Sequence, residues 1–202
     1  AAFEVGELWY PGHGGGGCSV RGFDRFLSSL RERGVRVVDL GQTSLAPLQG
    51  KQGWRVGVLW PQSGVSAGQG QQGCNDNNRS VVLSVAVAGP RLLPTGGIGA
   101  EAGQSLLALA RDDPLAASLR ADVSKVPHHG SRSSSTPAFV AAVAPELAVV
   151  SAGAGNRYGF PHAEVRRRYH RSGARVLSTA LWGAVSVGRS HRGIDVDRAQ
   201  RR

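Results

Sequence analysis

The sequence predicts an α/β fold, because segments with the period of a strand alternate along the chain with segments with the period of a helix. Large apolar side chains recur at every second position from Trp54 to Trp60, as on a strand. From Phe23 to Leu30 they recur at the three- and four-residue spacing of one helical face. The chain has 202 residues, of which 41% are hydrophobic and 19% charged, so we expect one globular domain with a sizeable core.

The individual elements follow from the same periodicities and from turn residues. A helix is expected over 22–33, since Gly34 is a natural C-terminal stop. The apolar run 80–88 and the pair Leu92-Leu93 flank a Gly-Pro turn, which predicts a hairpin in the centre of the sheet. Further strands are expected at 35–40, 54–60, 122–126, 147–151, 174–178 and 183–187, and further helices at 100–111, 137–143 and 162–171.

Histidines mark the candidate site. His128 and His129 come after the predicted strand 122–126 and are bounded by Gly130 and Ser131, and His162 closes the run 155–162. We expect His128 and His162 each to follow or adjoin a strand, where loops commonly carry chemistry. A vicinal pair can place one ring in a cleft while the other donates a hydrogen bond, although a purely structural contact is the alternative. The pattern indicates metal-dependent hydrolysis, which requires a full ligand set.

Six segments occur in a fixed order over nearly the whole chain: 3–9, 56–61, 75–83, 93–102, 125–131 and 151–159. Together they resemble the C-terminal metallo-β-lactamase-like domain of the ComEC family of DNA-internalisation competence proteins. The resemblance implies an αββα sandwich of the metallo-β-lactamase type, lacking the first part of its N-terminal half. We expect this partial domain to span residues 1–188 and a basic, disordered tail to span 189–202.

The resemblance also assigns roles at a two-metal site that would hold Zn or Mn and cleave phosphodiesters. For the asparagines the alternative role is turn formation, and for the serines it is helix capping. The implied metal ligands are His128, His129 and His162, the implied catalytic residues are Lys125, Asn77 and Ser80, and the implied phosphate-binding residues are Ser131, Asn156, Arg157 and Tyr158.

Two departures from the family pattern weaken that site. The Thr-Gly-Asp sequence that follows a strand in the family has Gly97 at the third position, so the metal-binding carboxylate is missing. The family's His-X-His-X-Asp-His motif does not occur in the 202 residues, and we expect Ala1 to lie downstream of it. Because the carboxylate is missing at Gly97 and paired-metal sites need more than the three histidines, we expect weak or absent metal binding and little hydrolysis, whatever upstream residues are added.

The formal net charge of +10 favours polyanionic partners, because basic residues release the counterions condensed on nucleic acids. The densest basic run is 166–171, for which a solvated helix face is the alternative reading. We therefore expect DNA, single- or double-stranded, as partner. The family resemblance adds the membrane channel part of a parent protein as a second partner, and we expect no small-molecule cofactor. The pairing of Cys18 and Cys74 stays open.

The chain itself contains no apolar run of the roughly 20 residues that cross a bilayer, and it shows no signal peptide. We expect a soluble domain, and the family resemblance implies that its parent protein resides in the cell membrane. Two functions remain open at this point. The first is a nuclease-like domain acting on incoming DNA, and the second is a catalytically degenerate basic domain that binds DNA or serves as a scaffold. A small-molecule hydrolase is a less favoured third, since a fold does not fix a function.

Overall fold

The computed structural model describes residues 4–12, 21–63, 76–87, 89–112, 119–191 and 193–198. Its five helices within these ranges are α1 (Arg21–Glu32), α2 (Ala100–Asp112), α3 (Pro137–Val143), α4 (Ala163–Arg171) and α5 (Thr179–Trp182). The strands are β1 (Glu7–Tyr10), β2 (Arg36–Asp39), β3 (Leu48–Gln49), β4 (Arg55–Trp60), β5 (Val82–Ala86), β6 (Arg91–Leu93), β7 (Val123–Lys125), β8 (Leu147–Val150), β9 (Arg175–Ser178), β10 (Val185–Ser190) and β11 (Gly193–Arg198). Short 3-10 helices occupy Asp76–Arg79 and Pro127–Gly130.

Seven strands form one mixed sheet in the order β3-β4-β5-β6-β7-β8-β9. The pairs from β3 to β6 are antiparallel, whereas β6, β7, β8 and β9 run parallel to one another. Two further pairs form separate small sheets, β1 with β2 in parallel and β10 with β11 as an antiparallel hairpin. The carboxyl ends of β6 to β9 therefore lie at one edge of the main sheet.

The two faces of the main sheet are covered by different kinds of element. Along β8, Ala148 and Val150 pack with Val165 and Tyr169 of α4, while Leu147 packs with the β10–β11 hairpin. This alternation is the two-residue period of a strand buried on both faces. Helices α2 and α3 cover the same face as α4 near β4 to β6, and the β1–β2 pair covers the opposite face.

The mixed α/β class is confirmed, and so is the hairpin of β5 and β6 at the centre of the sheet. Helix α3 has the predicted bounds because Thr136 caps it, its hydroxyl accepting a hydrogen bond from Phe139 N at 3.2 Å. Helix α1 ends before Gly34, whose φ of +80° is the left-handed conformation typical of such a stop.

The prediction of a disordered tail from residue 189 is wrong for the residues that the structure describes there. Strand β11 pairs with β10 from Val185↔Arg198 to Ser190↔Gly193, and Ile194 of this hairpin is buried against the main sheet. Burying Ile194 and part of Val196 removes apolar surface from water, and this stabilises the hairpin although the segment is rich in charged residues. Residues 199–202, Cys18 and Cys74 lie outside the described residues.

Candidate functional site

A cleft of about 780 Å³ opens at the edge of the sheet where the parallel strands end. In open α/β sheets this edge is the usual position of a binding site, because the loops that follow successive strands meet there. Segments that are distant in the sequence contribute to it. Its described lining residues are Asn77, Gly97, His128, His129, Ser151, Ala152, Gly153, Asn156, Tyr158, Phe160 and Thr179.

The loop after β7 holds the two vicinal histidines in an unusual backbone conformation. His128 has φ +47° and His129 has φ +55°, both in the left-handed region that residues with a side chain rarely occupy. Hydrogen bonds hold the start of the loop, since Thr95 Oγ1 donates to Lys125 O at 2.7 Å and His128 N donates to Gly96 O at 3.2 Å. Two consecutive strained residues point to a function, because each costs about 1–3 kcal/mol that the surrounding structure must offset.

The two imidazoles differ in their surroundings. His129 Nδ1 lies 2.6 Å from the carbonyl oxygen of Ser151, which can only accept, so Nδ1 is the donor of this hydrogen bond. His128 Nδ1 is buried and has no hydrogen-bond partner in the described structure. Burial lowers the pKa of His128, and the neighbouring charges of His129 and Lys125 lower it further. His128 is therefore held towards its neutral form.

Phe160 is the centre around which the three candidate histidines gather. Its ring centroid lies 5.9 Å from that of His128, 6.3 Å from that of His129 and 5.2 Å from that of His162. His162 does not adjoin a strand, contrary to expectation. It immediately precedes α4, and its Nδ1 is buried without a partner among the described residues. The three histidines thus surround one phenyl ring, and His128 and His129 line the cleft whereas His162 is not among its described lining residues.

The loop that carries Phe160 is fixed by Asn156. Its side-chain oxygen accepts from Phe160 N at 2.9 Å and its amide nitrogen donates to Phe160 O at 2.8 Å. The loop is also joined to the histidine loop, since His162 N donates to Gly130 O at 3.0 Å and Pro161 packs against the α-carbon of Gly130. Asn156 therefore has a structural role, and its predicted contact with phosphate stays a prediction.

The asparagine-rich segment divides into an exposed and a buried residue. Asn77 is exposed and lines the cleft beside Gly97. Asn78, the next residue of the same segment, is buried. Its side chain accepts from Gly99 N at 2.8 Å and donates to Glu101 at 2.8 Å, and its carbonyl accepts from the indole of Trp60 at 2.6 Å. Asn78 thereby connects the turn after β6 to the core and positions the neighbouring Asn77.

Gly97 is one of the residues that line the cleft. A Cβ atom on this residue would lie 3.3 Å from Ser80 Oγ and 3.4 Å from Asn77 Oδ1, so a side chain there would point between these two residues. Lys125 is close by, with Nζ donating to Gly96 O at 3.1 Å. Burial lowers the pKa of this ammonium group. Gly97 thus lies near a lysine, an amide and a hydroxyl group, where the family pattern would add a carboxylate.

The structure brings some predicted residues to the cleft and leaves others apart. His128, His129, Asn77, Asn156, Tyr158 and Gly97 line it. Ser131 is buried, and its hydroxyl lies 3.0 Å from that of Ser133, so it is not placed to meet a ligand in the cleft. Arg157 lies at the rim over the ring of Tyr158. Ser151, Phe160 and Thr179 are lining residues that were not predicted.

The side chains present do not fit the two-metal site that the resemblance implies. In the described part of the chain, no three or more His, Cys, Asp or Glu side chains are grouped so that they could hold a metal ion. The lining residues given above include two histidines but neither a carboxylate nor a thiolate. With Lys125 nearby, the arrangement favours an anion over a cation, because no negative ligand balances the positive charge.

Comparisons with curated proteins find relatives among competence proteins. Competence protein ComA of Neisseria gonorrhoeae is 36% identical over 124 residues, covering 61% of this chain and 17% of that protein. ComE operon protein 3 of Bacillus subtilis is 30% identical over 162 residues, covering 80% of this chain and 19% of that protein. Recombination protein 2 of Haemophilus influenzae is 41% identical over 66 residues, covering 33% of this chain and 8% of that protein. No family model matches the chain.

The fold and the cleft together define this protein as an α/β domain with a histidine-bearing site at the carboxyl edge of its sheet. With these relatives, the chain belongs to the ComEC family. It spans less than a fifth of the length of each relative described. Within the described residues, no helix combines the length and the apolar character needed to cross a bilayer.

Proposed function

We propose that this chain is a DNA-contacting domain of a DNA-uptake protein, whose cleft receives the phosphodiester backbone without a catalytic metal. The observation that carries the proposal is the composition of the cleft: imidazole, amide and hydroxyl groups beside Lys125, with no acidic side chain among its described lining residues. Phosphate oxygens are acceptors with negative charge, so they match such a surface. The competence names of the relatives supply the cellular context.

A whole protein of this kind would reside in the cell membrane and contain a channel, to which this domain would deliver DNA. The layering supports the metallo-β-lactamase type of sandwich that the family resemblance implies. Helices α2 to α4 cover one face of the main sheet, and the small β1–β2 and β10–β11 sheets cover the other. In this proposal the fold has kept the cleft and lost part of its ligand set at Gly97.

A second candidate is phosphodiester hydrolysis, with Zn or Mn bound at the cleft. The observation in its favour is the pair of buried, unpartnered Nδ1 atoms on His128 and His162, since buried polar atoms nearly always have a partner. Metal-dependent cutting of DNA by the unaltered chain would favour this candidate. Binding without cutting favours the first one.

The basic face of α4 provides a test of DNA contact. Arg166 and Arg167 are exposed, and α4 begins directly after His162 at the cleft. Changing both to Gln should weaken binding of an oligonucleotide and flatten the dependence of log K on log salt by about 1.5, because roughly 0.7–0.9 counterions are released per phosphate contact. Fluorescence anisotropy at several salt concentrations measures this slope.

The matched control removes the same charge elsewhere. Arg25 and Arg33 are also exposed and lie in and just after α1, which packs on β2 and belongs to the other layer of the fold. The double change Arg25→Gln/Arg33→Gln should leave the salt slope as it is in the unaltered chain. Equal effects of the two double changes would mean that net charge alone attracts DNA, and the proposed contact face would be wrong.

A further inference from the structure

A row of nearly parallel rings stands at the rim of the cleft. The Tyr158 and Phe160 centroids are 5.4 Å apart with an interplanar angle of 18°, and those of Phe160 and His129 are 6.3 Å apart with an angle of 20°. All three side chains line the cleft. The guanidinium carbon of Arg157 lies 4.9 Å from the Tyr158 centroid, which adds a positive charge next to the row.

Tyr158 is not part of the hydrophobic core, because 58% of its surface is exposed to solvent. Its position is nonetheless well defined. Arg157 Nη2 donates to its hydroxyl at 2.7 Å, and Asn156 fixes the loop on which both residues lie. An exposed aromatic ring that is already held in place loses little conformational entropy when a flat ligand stacks against it. The ring is therefore preorganised for such a contact.

We propose that Tyr158, Phe160 and His129 form a stacking platform for unpaired nucleobases, so that the cleft takes single-stranded DNA in preference to duplex. This rests on the proposed DNA contact and specifies its substrate. Bases in a duplex have both faces covered by their neighbours, whereas unpaired bases can stack on aromatic rings. The phosphates of the same strand would then run towards the exposed arginines of α4.

The test compares a single strand with its duplex, using the unaltered chain and Tyr158→Ala. Stacking energies predict that Tyr158→Ala weakens single-strand binding by about tenfold and leaves duplex binding within about twofold. Tyr158→Phe keeps the ring and should bind the single strand with the affinity of the unaltered chain. Leu48→Ala, at an exposed apolar residue on β3, should change neither affinity.

A strand with abasic sites separates base stacking from phosphate contact. In the unaltered chain, removing the bases should cost at least the tenfold that Tyr158→Ala costs, and Tyr158→Ala should cause no further loss with the abasic strand, because the base that stacks on this ring is already gone. Equal losses for single strand and duplex, no loss for either, or additive losses would overturn the platform. If the unaltered chain binds neither form, the proposed DNA contact itself falls.

Discussion

The substitution Gly97→Asp should give this chain an affinity for Zn²⁺ or Mn²⁺ at least about tenfold above that of the unaltered chain, a gain of about 1.4 kcal/mol, because it adds the charged oxygen ligand that the cleft lacks. Position 97 lines the cleft together with His128, and its missing side chain would point towards Asn77 and Ser80. A carboxylate there would also offset the positive charge of Lys125. Calorimetric titration and the metal content after dialysis measure the gain.

Gly97→Asn is the matched control, because it adds a side chain of the same shape without the charge. It should encounter the same contacts, 3.3 Å to Ser80 Oγ and 3.4 Å to Asn77 Oδ1 at its Cβ, and should not gain metal affinity. If the unaltered chain binds metal as tightly as the Gly97→Asp variant does, other residues complete the site. The reading of Gly97 as a lost ligand position would then be wrong.

The substitution Gly130→Ala should lower the free energy of unfolding by about 2–5 kcal/mol, the sum of left-handed strain and overpacking. Gly130 has φ +86°, and a Cβ atom there would lie 2.6 Å from Pro161 Cβ and 3.0 Å from Pro161 Cα. Relief requires the loop that carries Phe160 and His162 to move away from the histidine loop. Urea denaturation followed by tryptophan fluorescence measures the loss.

Gly155→Ala separates the two causes. Gly155 also has a positive φ, +64°, but no described atom lies within 4 Å of its Cβ position. The expected cost is about 1 kcal/mol, from backbone strain partly offset by the lower entropy of the unfolded chain. If both substitutions cost the same, the contact between Gly130 and Pro161 does not hold the two loops together.

Local signals made most of the fold predictable. The bounds of α3 follow from Thr136 and Pro137, and the central hairpin follows from its Gly-Pro turn. Strand β11 was missed although Ile194 and Val196 alternate with acidic residues, because the arginine-rich surroundings suggested a solvated tail. The small strands β1 and β3 are defined by pairing with distant segments, which no local pattern records.

The site was predictable only in part, for a similar reason. His128 and His129 could be placed because a strand and a proline lead directly into them. Thr179 joins the cleft because β9 lies beside β8, where its hydroxyl donates to Ala152 O at 2.9 Å. The sequence does indicate that Phe160 is unusual, because it is an aromatic residue between glycine and proline in a loop after a strand. Its position among the histidines, however, depends on the contacts of Pro161.

The most direct test of a metal-free cleft is the affinity of the unaltered chain for a single-stranded oligonucleotide, measured once with excess chelator and once with excess Mn²⁺. A cleft that holds phosphate through its own side chains should give the same dissociation constant within about twofold, and the strand should stay intact. Binding that is lost in the chelator, or cutting of the strand when Mn²⁺ is added, would contradict the account.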